Sequence, residues 1–418
     1  MLGLILSLVC VLALMRYFGV GQAAASKTRL LHVADAAAYS GAVVQARALN
    51  MLSMLNRTQL AHQVAMAHLV TMGSWAMLGG TQGQQLARGN PPASLLRSFF
   101  GAAYSQAYQA ARPASGLEDW ANISNGQLTQ AYAAHETLVH DVLALVQQEI
   151  LNGLPAARLA AMRHVVNSQY GDGQTQIEVL DDNWPSALQA VSTQQMLPFV
   201  QALGDTHDWL SARNDTVRSS GQVQVSCPAL HHELRRRGQT RLNDAGVWAS
   251  IDTQSYHALR ANRWIGCYFR EYEMGWGWIS ASKGDTLPVP YTDAPPDNFS
   301  AQDFWRWVQA NTDWDLLDGR ENPLANSRAH VARARWVSRG LPVMMDVKND
   351  ASTAAEPTMG FHLRLQRPGG QAQMVQSFTA HAAAQTYFRR PQPRADGRHE
   401  HANLFNPYWQ ARLMEVRP

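Results

Sequence analysis

Three short runs in this chain gather residue types that can do chemistry. His231-His232-Glu233 and His399-Glu400-His401 carry the imidazoles and carboxylates that bind zinc or move protons. Neither has HExxH spacing, and adjacent residues project to different sides of a helix or strand. We read both as solvated polar runs. Asp205, His207 and Asp208 offer an acid-base pair, but GDTHDW follows a helical pattern and reads as a capping turn. Cys227 and His231 lack an identifiable third partner, and neither a GxxxxGK[ST] phosphate loop nor a GxSxG elbow occurs. The expectation is a protein that is not an enzyme, with no catalytic residue, no metal ligand and no cofactor.

Aromatic residues crowd one stretch: Trp264, Tyr268, Phe269, Tyr272, Trp276 and Trp278, followed by Phe304, Trp305 and Trp307. Rings are enriched at interfaces, yet at strand spacing they usually fill a core, and core packing is the preferred reading. The alternative is a ligand- or glycan-binding module, which requires exposed Trp276 and Trp278 rings. A membrane-tethered periplasmic enzyme is a third class, lacking a catalytic constellation. Arg235 to Arg241, RRRGQTR, can meet acidic partners or headgroups, but reads first as a solvated strand edge.

The elements that would position these residues start with the N-terminus. Met1 to Met15 is apolar and uncharged, and with Arg16, Tyr17, Phe18, Gly19 and Val20 the run reaches the roughly 20 residues that span a hydrocarbon core. Leu4, Ile5, Leu6, Leu8, Val9, Val11, Leu12 and Leu14 would face lipid, and Arg16 can snorkel to the headgroups. Residues 1–21 are therefore read as a single-pass membrane anchor, whose orientation the residues specify poorly because Arg16, Lys27 and Arg29 all follow the apolar run. A cleaved signal peptide is the runner-up: Ala23-Ala24-Ala25 mimics a cleavage site, but no basic residue precedes the run. That missing flank points to a start upstream of Met1. LSLVC resembles a lipoprotein box, but Val9 stands where a small residue is expected.

Residues 22–80 read as a long Ala-rich stalk helix. Arg29, His32, Asp35, Arg47, Asn50, Ser53 and Arg57 recur at spacings of three and four as a solvated stripe, opposite Val44, Ala48, Met51 and Leu55. Asn56-Arg57-Thr58-Gln59 can act as a capping box and mark a kink or restart, and Gly79-Gly80 offers a stop. From 81 to 215 the pattern is helical: Ser94 to Ala111, Asn125 to Leu151 closed by Asn152-Gly153, a restart at Pro155, and Pro185 to Leu203. These helices are expected to cover the stalk's apolar stripe as a bundle. From 216 to 418 a β-rich domain is expected, with strands at Gln222–Ser226, Arg263–Phe269, Gly275–Ser280, Met359–Arg367 and Ala384–Arg390, and a short helix at Phe304–Gln309. The class is α+β.

Charge and cysteines bound the rest. A net charge of +3, with Lys27, Lys283 and Lys348 the only lysines, is too mild to argue for nucleic acid. Cys10 lies in the apolar run. Cys227 and Cys267 can form a disulfide if the chain is exported, or remain two buried thiols.

Lys27 to Asn50, KTRLLHVADAAAYSGAVVQARALN, resembles the N-terminal region of TadG-like and TadE-like proteins of the tight-adherence (Flp) pilus system. Ala34, Asp35, Ala36, Ala37 and Ala38 match that family's ADAAA core. Leu55 to Trp75, with Asn56, Arg57 and Trp75, and the terminal NLFNPYWQARL, with Asn406, Pro407, Tyr408 and Trp409, resemble extensions in one proteobacterial branch. The resemblance implies a membrane-anchored pilus-assembly component that packs against other pilus-assembly or pilin subunits through its long helix. Gly3 is followed by Leu4, Ile5, Leu6, Ser7 and Leu8, so the glutamate of a prepilin processing site is missing.

Overall fold

The computed structural model describes residues 2–89, 91–111, 116–122, 124–210, 213–221, 224–264, 266–282, 333–348, 358–369, 375–398 and 400–416. The sequence readings at Phe304–Gln309 and His399 fall outside them. In chain order the elements are α1 (Leu2–Arg88), α2 (Ala93–Phe100), α3 (Ala102–Gln109), α4 (Gln127–Thr137), a π-turn (Leu138–Leu143) and α5 (Ala144–Tyr170). Then come β1 (Gln176–Leu180), α6 (Trp184–Ala187), β2 (Leu188–Val191), α7 (Thr193–Gly204), β3 (Arg213–Arg218), β4 (Glu233–Leu242), β5 (Trp248–Asn262) and β6 (Gly266–Ser282). β7 (Arg333–Val337), β8 (Met344–Val347), β9 (Met359–Pro368), β10 (Ser377–Phe388) and β11 (Trp409–Met414) complete the order. The class is α+β: a long N-terminal helix with an apolar start, further helices, and a sheet-rich C-terminal half.

Contacts divide the chain into two compact units, each assembled from separated segments. One comprises Met1–Thr58, Ala144–Val191 and Met344–Pro418; the other comprises Gln59–Leu143 and Ser192–Val343. The first holds the antiparallel sheet β1-β9-β10-β11 and the pair β2-β8. The second holds β3-β4-β5-β6-β7, antiparallel except for the parallel pair β6-β7.

In the first unit the stripe of α1 is covered by one helix and a sheet. Leu30, Val33, Ala34, Ala37, Ala38 and Ala42 pack with Met162 and Val166 of α5 and with Phe361, Leu363, Leu365, Ala380, Ala382 and Ala384 of β9 and β10. Small side chains let the sheet approach: a Cβ on Gly41 would lie 2.9 Å from the Phe361 ring. Sheet alternation places Phe361, Leu363 and Leu365 on the same buried face of β9.

Several boundaries differ from the sequence pattern, each for a local reason. α1 has no break at Asn56–Gln59, because Asn56 spends its side chain on tertiary partners rather than on capping. Nor does it stop at Gly79-Gly80. A Cβ on Gly80 would collide with the Glu118 carboxylate, so that glycine serves close packing. Ser94 to Ala111 is two helices, parted at Gly101 with φ 94°. Pro155 does not restart a helix but lies inside α5. Proline frees the carbonyl four residues earlier, and that carbonyl, Leu151 O, accepts a hydrogen bond from Trp184 Nε1 at 3.3 Å. The 185–203 region is α6, β2 and α7, the last opened by a reciprocal Ser192/Gln195 capping box. Of Gln222–Ser226, the described residues 224–226 form no strand.

Candidate functional site

Of the first twenty residues of α1, Gly19 alone is buried. Every large apolar side chain from Leu2 to Val20, including Leu4, Ile5, Leu6, Leu8, Val9, Val11, Leu12 and Leu14, is exposed, by 49% to 84%. The helix is long and apolar enough to cross a membrane. Cys10 is a free, exposed thiol on the same segment.

Further along, the buried face of α1 carries polar side chains that bind backbone. Gln45 Nε2 donates to Met359 O (3.0 Å) and Thr386 Oγ1 (3.2 Å), while its oxygen accepts from Arg158 Nη1 (2.6 Å). Arg158 pairs with Asp182 and lies 4.3 Å from the centre of the Phe361 ring. Asn50 Nδ2 donates to Trp409 O and its oxygen accepts from Trp409 N, both at 3.0 Å, as a neighbouring strand would. Asn56 Nδ2 donates to Met345 O (2.7 Å) and Leu404 O (2.6 Å), and Gln147 Nε2 donates to Asn56 Oδ1 (2.9 Å). Buried amide groups left unmatched would each cost about 1–3 kcal/mol, so these contacts fix the register of β11 and its approach loop on the helix.

The solvated stripe read from the sequence holds at Arg29, His32, Arg47 and Arg57, which are exposed, and is corrected at Ser53, fully buried, and Asn50, half-buried, while Met51 of the supposed apolar stripe is 48% exposed. Polar type was a poor guide because an amide that meets an open backbone pair is satisfied without water.

The two ends that carried the family resemblance meet here. Ala34, Ala37 and Ala38 are buried, Asp35 is half-buried and Ala36 exposed; Asn56 is buried and Arg57 exposed. Asn406 bonds Glu400 and Asn403, the half-buried Pro407 leads into Tyr408, and Tyr408 O accepts from Arg389 N (3.0 Å). Trp409 is buried, with Nε1 donating to Asn403 O (3.1 Å). Asp346 accepts from Leu404 N and Val347 N, both at 2.8 Å, and burial raises its pKa against the pull of those two bonds.

In the second unit α1 lies on β4–β6 through hydroxyls and missing side chains. A Cβ on Gly277 would sit 2.0 Å from Ser74 O, and one on Gly275 2.4 Å from Gln82 Cγ. Thr81 Oγ1 donates to Trp276 O (2.7 Å) and accepts from Trp276 N (2.8 Å). Ser74 donates to Asp252, whose carboxylate also accepts from Arg213 Nε (2.6 Å) and Nη2 (3.2 Å). Burial raises the Asp252 pKa, with Arg213 opposing it. Thr71, Thr240 and Ser250 continue this chain of hydroxyls at 2.7 Å spacing. Trp75 is 48% exposed, with the Arg236 guanidinium 4.4 Å from its ring centre.

The runs that suggested chemistry diverge. His231 is half-buried and bonded to Gly221 O (3.0 Å), His232 is buried, and Glu233 pairs with Arg235 and Arg218. Glu400 pairs with Arg390 (2.8 Å). Among the described residues, no three His, Cys, Asp or Glu side chains converge as metal ligands. Trp276 and Trp278 are buried, which removes the exposed rings a glycan-binding face would need, whereas Trp264 is exposed. Cys227 and Cys267 are joined as a disulfide, with Cα atoms 6.1 Å apart.

The groups that sequence reasoning missed are Gln45, Arg158 and Asp182. Their signal was present in α1: Gln45, Ser53, Asn56, Gln63, Ser74, Thr81 and Gln85 recur along one otherwise apolar helical face. No family model, curated protein or solved structure matches this chain.

Proposed function

We propose that this chain is a membrane-anchored structural or assembly component of a Flp/Tad-type pilus, with a single pass in the bacterial inner membrane and the bulk of the chain in the periplasm. It acts by packing against other pilus-assembly or pilin subunits rather than by catalysis. The observation that carries the reading is the bare apolar segment Leu2–Val20 at the head of an 87-residue helix. Exposed to water it would be a severe liability; in lipid it is at home.

Two further features support it. The ADAAA core and the NPYW segment that carry the resemblance both lie on the first unit, the unit that bears the apolar segment. The Cys227–Cys267 disulfide suits an oxidising compartment. Contacts with like helices would use Leu2–Val20, since the face beyond Leu30 is occupied by the chain itself. The test is deletion of the gene followed by electron microscopy of surface pili and an adherence assay. Loss of pili that plasmid-borne wild type restores is the expected result, and normal piliation with normal adherence would sink the proposal.

A further inference from the structure

A pocket of about 570 Å³ opens between the end of β10, residues 389–398 with Glu400, and Arg412 on β11. Its wall carries five guanidinium groups, those of Arg389, Arg390, Arg394, Arg398 and Arg412, against one carboxylate, Glu400. That is an unusual concentration in a chain whose net charge is only +3.

The arginines are held in place in different ways. Arg390 pairs with Glu400 at 2.8 Å and Arg394 with Asp396 at 2.6 Å, so these two are neutralised. Arg412 is held by a neutral group instead. The Gln385 amide, turned with its oxygen toward the guanidinium, accepts from Nε at 2.6 Å and Nη2 at 2.5 Å. The Arg412 guanidinium also lies 4.6 Å from the centre of the Tyr387 ring. Arg412 is thus pre-organised with its charge intact. Arg389 and Arg398 have no carboxylate partner among the described residues, which leaves three positive charges facing one cavity.

We propose that this pocket binds a small soluble ligand carrying phosphate groups. A guanidinium fork matches phosphate oxygens two at a time. A phosphomonoester carries about 1.5–2 negative charges, so two phosphoryl groups balance three guanidiniums where two carboxylates would not. The volume falls within the roughly 300–1,000 Å³ of small-molecule sites. Position selects a soluble source over a lipid. Phe388, at the pocket, pairs with Trp409 in the ladder, and Trp409 is bonded to Asn50 of α1. Asn50 lies about 45 Å along the helix from Val20 at 1.5 Å per residue. If Leu2–Val20 is in the bilayer, the site stands clear of the headgroups; only this choice of source rests on the anchor reading.

The test is calorimetric titration of the full chain, in nanodiscs of neutral lipid at low ionic strength, with inorganic pyrophosphate. Citrate and short-chain phosphatidic acid serve as comparison ligands. Saturable pyrophosphate binding is expected, weakening with salt. It should fall at least tenfold in the exposed-loop variant R389Q/R398Q and in R412Q, and stay unchanged in R263Q, whose guanidinium lies over Trp264 outside the pocket. Absence of saturable binding, or wild-type binding by both pocket variants, overturns the site. Citrate binding as tightly as pyrophosphate overturns the phosphate preference, and tighter binding of phosphatidic acid overturns the soluble source. None of these residues lies in the apolar segment, so membrane fractionation of the same variants separates failure of this site from failure of the anchor.

Discussion

Leu2–Val20 and Gln45–Gln85 belong to one unbroken helix and obey opposite rules. In the first stretch apolar side chains are exposed; in the second, amides and hydroxyls are buried. The difference teaches that burial on this helix follows what the surroundings can satisfy, not side-chain polarity. Lipid can satisfy leucines, and strand backbones can satisfy Asn50, Asn56 and Thr81.

The sharpest way to break this comparison is at the closest helix–strand approach. Gly277→Ala places a methyl 2.0 Å from Ser74 O, and a loss of about 4 kcal/mol is expected in chemical denaturation followed by circular dichroism. A loss under about 1 kcal/mol would show that α1 does not sit this tightly on β6. Next is Leu8→Arg, which costs about 3 kcal/mol at the centre of a span; fractionation should move much of the variant from membranes to the soluble phase. Retention equal to wild type would remove the anchor.

Asn56→Leu keeps the volume but removes the donor to the Met345 and Leu404 carbonyls and the acceptor of Gln147 Nε2. A loss of about 3 kcal/mol is expected, with an unchanged membrane fraction. Acid should act more gently. Burial, aided by Arg260, pushes His232 down to about 4, and its Nδ1 accepts from Leu259 N. The unfolded chain therefore binds the proton first: stability from the neutral ring is full above pH 6.5 and is lost as pH falls toward 4. His232→Gln should flatten that part of a stability-versus-pH curve, and an unchanged slope would count against it. The smallest effect has the opposite sign. Gly153 in α5 has open space at its Cβ position, so Gly153→Ala should stabilise by about 0.5–1 kcal/mol.

The sequence made the long helix, its apolar start and segments of β6, β9 and β10 legible, because periodicity and β-branched or aromatic runs are local signals. It did not show β1, β2, β3, β5, β7, β8 and β11 as strands. Gly275–Ser280 lies in β6 and Met359–Arg367 in β9. What it concealed was tertiary in origin. Pro155 looked like a helix start because the compensating Trp184 donor is 29 residues away. Asn56 looked like a cap because its acceptors, Met345 and Leu404, are about three hundred residues downstream. The arginine pocket was not legible, since proximity of Arg412 to Arg389 and Arg398 depends on the β10–β11 ladder.

That separation has a consequence for the order of synthesis. The stripe at Ala34–Ala42 leaves the ribosome at once, yet its cover on β9 and β10 follows more than 300 residues later, and the Asn50–Trp409 clasp spans 359 positions. Until β9 and β10 are made, the stripe in the nascent chain has only α5 to cover it. A nonsense codon before Met359 would therefore leave the stripe without its sheet, an apolar face for quality-control proteases to find.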